Sequence, residues 1–205
     1  MILQSRRELV ALACAVALGG FMVYGLASSM KDGARRFHEG PMRAIFGDGT
    51  FEQLEAGQQL PLHYIGNDRT APDFTLNDRS GQPYTLSQHR GHVIVLNFWT
   101  INCGPCVEEM PKLDQLAQLV QPWGDVEVVG VSIDSGWDEV ARIMPPRPHI
   151  HYLFDPQNTV VQPKYGSHLF PETWIIDKEG VIRMRYDGGF DWSQPVVLNL
   201  LQSYR

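Results

Sequence analysis

Two hydrophobic runs in the middle of the chain predict its buried strands. Residues 92–98 and 126–133 are apolar at almost every position, a pattern typical of strands that are covered on both faces. Between them, the apolar positions of residues 108–120 recur every three or four places, which predicts a helix with one buried face. The sequence therefore predicts a strand, a helix and a second strand in succession.

Shorter patterns extend this core on both sides. Residues 74–76 and 84–86 alternate around a turn at residues 78–81, which predicts a hairpin. The elements predicted after the second buried strand are short helices at residues 137–144 and 159–165, an extended piece at residues 152–154, a strand pair at residues 172–176 and 181–186, and a final helix at residues 192–204. This order predicts an α/β fold with a central mixed β-sheet that is flanked by helices on both faces.

The longest apolar stretch lies near the amino terminus. Residues 9–27 carry no charged side chain, and as a helix they would extend about 28 Å, close to the hydrocarbon thickness of about 30 Å. A cleaved signal peptide would have a shorter apolar core and a small-residue cleavage site, for which residues 25–29 are a weak candidate. We therefore expect an uncleaved signal anchor or transmembrane helix over residues 1–27, a tether over residues 28–70, and a compact domain over residues 71–205.

Composition and charge narrow the function classes. The chain has 43% hydrophobic and 20% charged residues, which is ordinary for a globular protein. A formal net charge of −6 and the lack of a Lys/Arg-rich run argue against nucleic acid as a partner, because phosphate binding needs basic patches. Three cysteines are too few for a structural disulfide framework. Cys14 lies in the apolar stretch, which leaves Cys103 and Cys106 as a single pair.

The sequence Cys-Gly-Pro-Cys at residues 103–106 carries the candidate chemistry. Two cysteines three apart at the start of a helix lie on one face, and their spacing permits a disulfide. The partial positive charge at a helix amino terminus favours the thiolate, which is the attacking species in disulfide exchange. Because the motif follows a buried run and precedes a helical pattern, it indicates a redox function.

Two other interpretations of this cysteine pair are less favoured. Half of a zinc site would need two further ligands at suitable spacing, and His149 and His151 lie far along the chain. A purely structural disulfide that closes so short a loop gains little entropy. The two histidines alternate, so they share one side of an extended segment, but they are more typical of surface histidines than of a metal pair. We therefore predict no metal ligands.

Several motifs together resemble one family. The segment Phe-Trp-x-x-x-Cys-Gly-Pro-Cys at residues 98–106, followed by Glu109 and Pro111, resembles the membrane-anchored thioredoxin-like proteins of the TlpA/ResA type. Residues 71–76 resemble that family's domain entry, and residues 169–177 resemble its proline loop and following strand. The resemblance covers about residues 71–205 and implies a thioredoxin-like fold with a hairpin at its amino end.

The resemblance implies roles for the residues of the cysteine motif. Cys103 matches the exposed, attacking cysteine, and Cys106 matches the more buried resolving cysteine. Gly104 and Pro105 match the central dipeptide that is associated with reducing members of the family. Glu109 matches a carboxylate that shuttles the proton that Cys106 must lose; the alternative is a solvated helix residue.

The resemblance also implies where a substrate binds. Pro171 matches a cis-proline beside the dithiol, which would expose the backbone of Phe170 for pairing with a substrate segment; a plain strand-start proline is the alternative. Trp99 serves either as a substrate contact or as core packing. Asn97 departs from the pattern, since thioredoxin has a buried aspartate there, and this leaves Glu109 as the only nearby carboxylate candidate. Asn102 stands where many relatives have tryptophan.

The implied enzyme is a thiol–disulfide oxidoreductase without a cofactor beyond its Cys103–Cys106 couple. We expect a periplasmic dithiol reductase, for example one that acts on apocytochrome c or copper-site cysteines, anchored by a single span in the bacterial inner membrane. Its implied partners are protein disulfide clients and a membrane thiol carrier as electron donor. The alternatives are a dithiol oxidase or isomerase, a peroxiredoxin-type peroxidase, whose Pro-x-x-x-Thr-x-x-Cys motif fails at Leu96, and a non-enzymatic metallochaperone, whose cysteine spacing differs.

Overall fold

The chain forms two compact units, residues 1–50 and 51–205. The computed structural model describes residues 20–25, 28–29, 40, 42–44, 47–57, 69–145 and 147–205. In the first unit, Arg43 donates a hydrogen bond to the Asp48 carboxylate at 3.2 Å. Within the described residues, no helix is long and apolar enough to cross a membrane. Most of the predicted anchor over residues 1–27 and much of the predicted tether lie outside the described residues.

The second unit is built on a mixed β-sheet. Among the described residues it has eight strands, which are β1 (Arg69–Thr70), β2 (Thr75–Asp78), β3 (Pro83–Thr85), β4 (Val93–Trp99), β5 (Val126–Ser132), β6 (His151–Phe154), β7 (Glu172–Ile176) and β8 (Val181–Asp187). Their order in the sheet is β1-β8-β7-β4-β5-β6-β2-β3. Strand β4 is parallel to β5 and antiparallel to β7, so the prediction of a mixed sheet is confirmed. The predicted hairpin is also present, since β2 and β3 pair antiparallel.

Strand β4 lies at the centre of the sheet because its side chains are apolar on both faces. All seven of its residues are buried, and successive side chains of a strand point to opposite faces. On one face Phe98 packs edge-on against Tyr165, with ring centroids 5.0 Å apart. On the other, Trp99 packs against Tyr152 at 5.9 Å. Both faces of the central strand are therefore covered.

Five helices lie in the described residues from position 47 onward, and three of them, including the one at Val161–Tyr165, begin elsewhere than predicted. They are α1 (Asp48–Glu55), α2 (Gly104–Val120), α3 (Trp137–Ile143), α4 (Val161–Tyr165) and α5 (Pro195–Ser203), with short 3₁₀ turns at Leu86–His89 and Gln121–Trp123. Helix α2 begins four residues before the predicted start, so it includes the second cysteine. Helix α5 begins at Pro195, since proline is well suited to the first turn of a helix.

The end of helix α1 belongs to the compact unit around the sheet. Its Phe51 and Leu54 side chains are buried. The side chain of Asn199, in α5, donates a hydrogen bond to the carbonyl of Leu54. This stretch of the predicted tether is therefore packed rather than a free linker.

The topology brings two segments to one edge of the sheet. The cysteine motif follows the carboxyl end of β4. Strand β7 runs antiparallel to β4 and pairs Glu172 with Phe98, so the residue just before β7, Pro171, lies at that same edge. The amino ends of β4 and β5, where Val93 pairs with Val126, lie at the opposite edge.

Candidate active site

The two cysteines form a disulfide at the amino end of α2. Their Cα atoms are 5.2 Å apart. Cys103 is the residue that caps the helix, and the backbone N–H of Cys106 donates to the Cys103 Sγ at 3.2 Å. Cys103 is partly exposed, whereas Cys106 is 0% exposed. A sulfur from another molecule therefore reaches Cys103 first, and the helix terminus stabilises negative charge there.

A buried carboxylate holds the loop that precedes Cys103. Asp134 follows β5 and accepts hydrogen bonds from the Thr100 hydroxyl at 2.7 Å and from the Ile101 backbone N–H at 3.0 Å. The Ser132 hydroxyl donates to it at 2.7 Å. Because charge-assisted hydrogen bonds are strong, this carboxylate fixes the chain from which Cys103 emerges.

Asp134 corrects one expectation from the sequence. Glu109 was expected to be the only carboxylate near the cysteines, but Asp134 bonds to residues that lie two and three places before Cys103. The pairing of β5 alongside β4, with Ser132 opposite Trp99, brings it there. Its only signal in the sequence is a polar residue just after a buried strand.

Glu109 lies behind the resolving cysteine. It is 4% exposed, so it is not the solvated residue of the alternative interpretation. It follows Cys106 by three positions in α2, which places both on one helix face with Cβ atoms roughly 5–6 Å apart. Burial raises the pKa of Glu109 to about 7, although hydrogen bonds from Phe190, Asn97 and Trp192 favour the carboxylate. Glu109 can therefore take up and give back a proton near neutral pH.

Three donors surround the Glu109 carboxylate. Asn97 Nδ2 donates to Oε1 at 2.8 Å, and the Phe190 backbone N–H and Trp192 Nε1 donate to Oε2 at 3.1 and 3.4 Å. Asn97 also donates to the Thr173 hydroxyl at 2.9 Å. An aspartate at position 97, as in thioredoxin, would add like-charge repulsion to the Glu109 carboxylate. The Asn97 amide is neutral and adds none.

The loop after β8 closes the site on the side of Glu109. A Cβ at Gly189 would lie 3.6 Å from the Pro105 Cβ and 3.9 Å from Glu109 Oε2. The Gly188 backbone N–H donates to the Pro171 carbonyl at 2.8 Å. Sequence reasoning missed this loop because it assigned Trp192 to the last helix. The adjacent glycines at 188 and 189 are the signal that could have revealed it.

Pro171 is the cis-proline that the resemblance implied. The Phe170–Pro171 peptide bond is cis, and the Gly188 contact links this proline to the chain that touches Pro105. The two residues before Pro171 are apolar and accessible: Leu169 is 76% exposed and Phe170 is partly exposed. Together they form an apolar surface at the edge of the sheet that carries the cysteine motif, and Phe170 also packs against the core.

Glu172, the residue after Pro171, is a further buried carboxylate. Its side chain accepts a hydrogen bond from the Ser167 hydroxyl at 2.6 Å and pairs with Arg185 at 3.1 Å. Burial raises the pKa of Glu172. These two contacts fix the strand that begins directly after the cis-proline.

Trp99 and Asn102 lie in different environments. The Trp99 side chain is 0% exposed and packs against Tyr152, which favours core packing over substrate contact. Asn102 is exposed next to Cys103, so it lies on the surface around the outer cysteine. The predicted set of Cys103, Cys106, Glu109, Phe170 and Pro171 thus lies at one edge of the sheet, while Trp99 points into the core at that edge.

Comparisons with known proteins agree with this arrangement. The model of the AhpC/TSA family matches residues 68–185. Thiol-disulfide oxidoreductase ResA of Geobacillus thermodenitrificans is 34% identical over 116 residues, which make up 56% of this chain and 65% of that protein. Peroxiredoxin Q, chloroplastic, of Sedum lineare is 31% identical over 146 residues, which make up 66% of this chain and 77% of that protein.

A solved structure shows the same fold. The crystal structure of the exposed lipoprotein thioredoxin Etrx1 of Streptococcus pneumoniae has a TM-score of 0.55 at 24% identity, and the match covers 64% of this chain and 98% of that one. The matched ResA protein is covered to just under two thirds of its length. The resemblance that residues 98–106 and 169–177 indicated, and the thioredoxin-like fold that it implied, are both confirmed.

Proposed function

Since the chain belongs to the AhpC/TSA family, we propose that it is a thiol–disulfide oxidoreductase that reduces disulfides in protein substrates. One observation carries this proposal: the disulfide between Cys103 and Cys106 lies at the start of helix α2, with Cys103 partly exposed and Cys106 buried one turn from Glu109. The ResA relative is named as a thiol-disulfide oxidoreductase, which supports the same reaction class.

The reaction begins at Cys103 in the reduced enzyme. Its thiolate attacks one sulfur of a substrate disulfide, so that an enzyme–substrate disulfide forms and the other substrate sulfur leaves as a thiolate. The unpaired N–H groups at the start of α2 favour the thiolate form of Cys103. Accessibility supports this order, since Cys106 has no exposed surface.

Cys106 completes the reaction from inside the protein. Its thiol transfers a proton to the Glu109 carboxylate, and the resulting thiolate attacks the Cys103 sulfur. The substrate leaves with its second thiolate, and the enzyme keeps the disulfide that the structure contains. Two electrons have passed to the substrate, so a thiol donor must reduce the enzyme again; we propose a membrane thiol carrier for this role.

The surface before the cis-proline is the proposed substrate contact. An extended segment of the client would lie along the backbone of Phe170, while Leu169 offers it an apolar contact. The clients that we propose are exported proteins whose cysteines must be reduced before use, such as apocytochrome c or a copper-site protein. The domain would act outside the cytoplasmic membrane, where disulfides form, attached through the uncharged residues 9–27.

A peroxidase is the second candidate, because a peroxiredoxin is among the relatives and Thr100 stands three residues before Cys103. In that reaction the Cys103 thiolate would attack a peroxide oxygen. The Thr100 hydroxyl donates to Asp134 at 2.7 Å, and Leu96 replaces the proline of the peroxiredoxin motif, so the reductase is favoured. A dithiol oxidase remains the alternative direction of the same exchange.

The test is insulin reduction by the full-length chain in detergent, with dithiothreitol as electron donor. We expect Cys103→Ser to abolish the reaction and Cys106→Ser to accumulate mixed disulfides with clients, while Cys14→Ser keeps wild-type activity as the matched control. Full insulin reduction by Cys103→Ser would refute the assignment. Consumption of hydrogen peroxide without insulin reduction would favour the peroxidase instead.

A further inference from the structure

Three side chains of metal-binding type converge at the edge of the sheet that is remote from the cysteines. His89 ends the 3₁₀ turn Leu86–His89, His92 directly precedes β4, and Glu127 is the second residue of β5. Their candidate donor atoms all lie within 4.8 Å of one another. The Nδ1 atoms of both histidines contact the same Glu127 oxygen, Oε1, and the His89 contact is 2.9 Å long.

This cluster is separate from the cysteine site. It lies at the amino ends of β4 and β5, where Ile94 pairs with Glu127, whereas the cysteines follow the carboxyl end of β4. Seven residues of β4 at about 3.3 Å each place roughly 20 Å between the two sites. The redox chemistry proposed above therefore does not use these three side chains.

We propose that His89, His92 and Glu127 bind a divalent first-row transition metal ion, for which Zn²⁺ is the probe. Two imidazoles and one carboxylate form a ligand set that zinc accepts in sites with one open position. Metal–ligand bonds of about 2.0–2.2 Å place the donor atoms of such a site roughly 3.4 Å apart. The donor atoms now lie within 4.8 Å of one another, so small side-chain rotations would bring them to the spacing of a metal site.

The surroundings orient the ligands. The Tyr84 hydroxyl donates to the other Glu127 oxygen, Oε2, at 3.2 Å, which leaves Oε1 toward the histidines. The Tyr84 ring also stacks on the His89 imidazole, with centroids 3.9 Å apart. Contacts of this kind fix the orientation of the side chains that bind a metal ion and raise the affinity for it.

The site is accessible to an ion and to one further ligand. The side chains of His89, His92 and Glu127 are 25%, 39% and 21% exposed. A pocket of about 390 Å³ adjoins the cluster and is lined by His92, Glu127 and His151, among others. The pocket supplies room for a water molecule or a small anion at the open coordination position.

The test measures zinc binding by the full chain in detergent, with the Cys103–Cys106 disulfide kept oxidised so that thiolates do not compete. We expect one Zn²⁺ to bind per chain, and to bind at least tenfold more weakly in His92→Asn and in Glu127→Gln. Tyr84→Phe should weaken binding by roughly tenfold, as loss of an orienting contact does. Co²⁺ should give the visible absorption of a four- or five-coordinate ion, and this band should disappear in His92→Asn.

His168→Asn is the control. His168 is an exposed histidine three residues before the cis-proline Pro171, so it lies away from the cluster and from the pocket beside it. This variant should keep zinc affinity within twofold of wild type. No zinc binding at millimolar concentration, or equal binding by wild type, His92→Asn and Glu127→Gln, would overturn the proposal. Unfolding curves without zinc verify that each variant is folded.

Discussion

The raised pKa of Glu109 makes the stability of this protein depend on pH in a defined way. Its pKa is about 7 in the folded protein against 4.5 for an ordinary glutamate. Well below pH 4.5 the Glu109 side chain is protonated in both the folded and the unfolded protein, so its burial does not change the free energy of unfolding with pH. As the pH rises from 4.5 through 7, the unfolded chain releases the proton first, so the free energy of unfolding decreases.

The size of this decrease follows from the two pKa values. Between pH 5 and pH 8 a carboxyl with pKa values of 4.5 unfolded and about 7 folded lowers the free energy of unfolding by roughly 2–3 kcal/mol. Replacing Glu109 by glutamine removes this contribution, because the amide does not ionise. The free energy of unfolding of Glu109→Gln should therefore fall less than that of wild type over this range, by roughly 2–3 kcal/mol.

Urea denaturation of the oxidised protein at pH 5 and pH 8 measures the difference. Other groups titrate in both proteins, so the comparison between variants isolates Glu109. Glu108→Gln, at the exposed neighbouring position, is the control and should keep the wild-type pH dependence. If Glu109→Gln loses as much stability between pH 5 and pH 8 as wild type does, the raised pKa of Glu109 is refuted.

Three further outcomes test the site. In Glu109→Gln, release of substrate from the mixed disulfide should slow by about 100-fold, as for loss of a general base, and single-turnover rates should lose their rise near pH 7; an unchanged pH–rate profile would remove Glu109 from the mechanism. In Asp134→Asn, the donors of Thr100, Ile101 and Ser132 share one acceptor oxygen, so the free energy of unfolding in urea should decrease by about 1–3 kcal/mol. An unchanged midpoint of urea unfolding would contradict the role of Asp134. Leu169→Ser should lower kcat/KM for insulin but not for a small aromatic disulfide, and equal effects on both would count against this surface as a protein contact.

The central strand and the cysteine pair could be predicted because their signals are local. Seven consecutive buried residues of β4 and the Cys-Gly-Pro-Cys segment are visible in a short window of sequence. The cis-proline was predicted from a family resemblance, and the structure agrees at Phe170–Pro171. The strand and the cysteine pair depend on neighbouring residues, so the sequence alone specifies them, whereas the cis-proline needed the resemblance.

The environment of Glu109 could not be predicted because its partners are distant in sequence. Asn97 lies 12 positions away, and Phe190 and Trp192 lie 81 and 83 positions away. The same applies to Glu127, which lies 38 and 35 positions from its two histidines. Hydrophobic periodicity predicts which face of an element is buried, but it does not predict which polar groups come into contact. The polar clusters around Glu109 and Glu127 are therefore visible only in the folded structure.

The hydrogen bond between the Gly188 amide and the Pro171 carbonyl joins the segment before β7 to the loop after β8. The first segment contains the proposed substrate contact, and the second donates a hydrogen bond from the Phe190 N–H to Glu109. A client that displaces the first segment would therefore also displace the second. Any variant that weakens this hydrogen bond should therefore change both the affinity for a client and the access of water to Glu109.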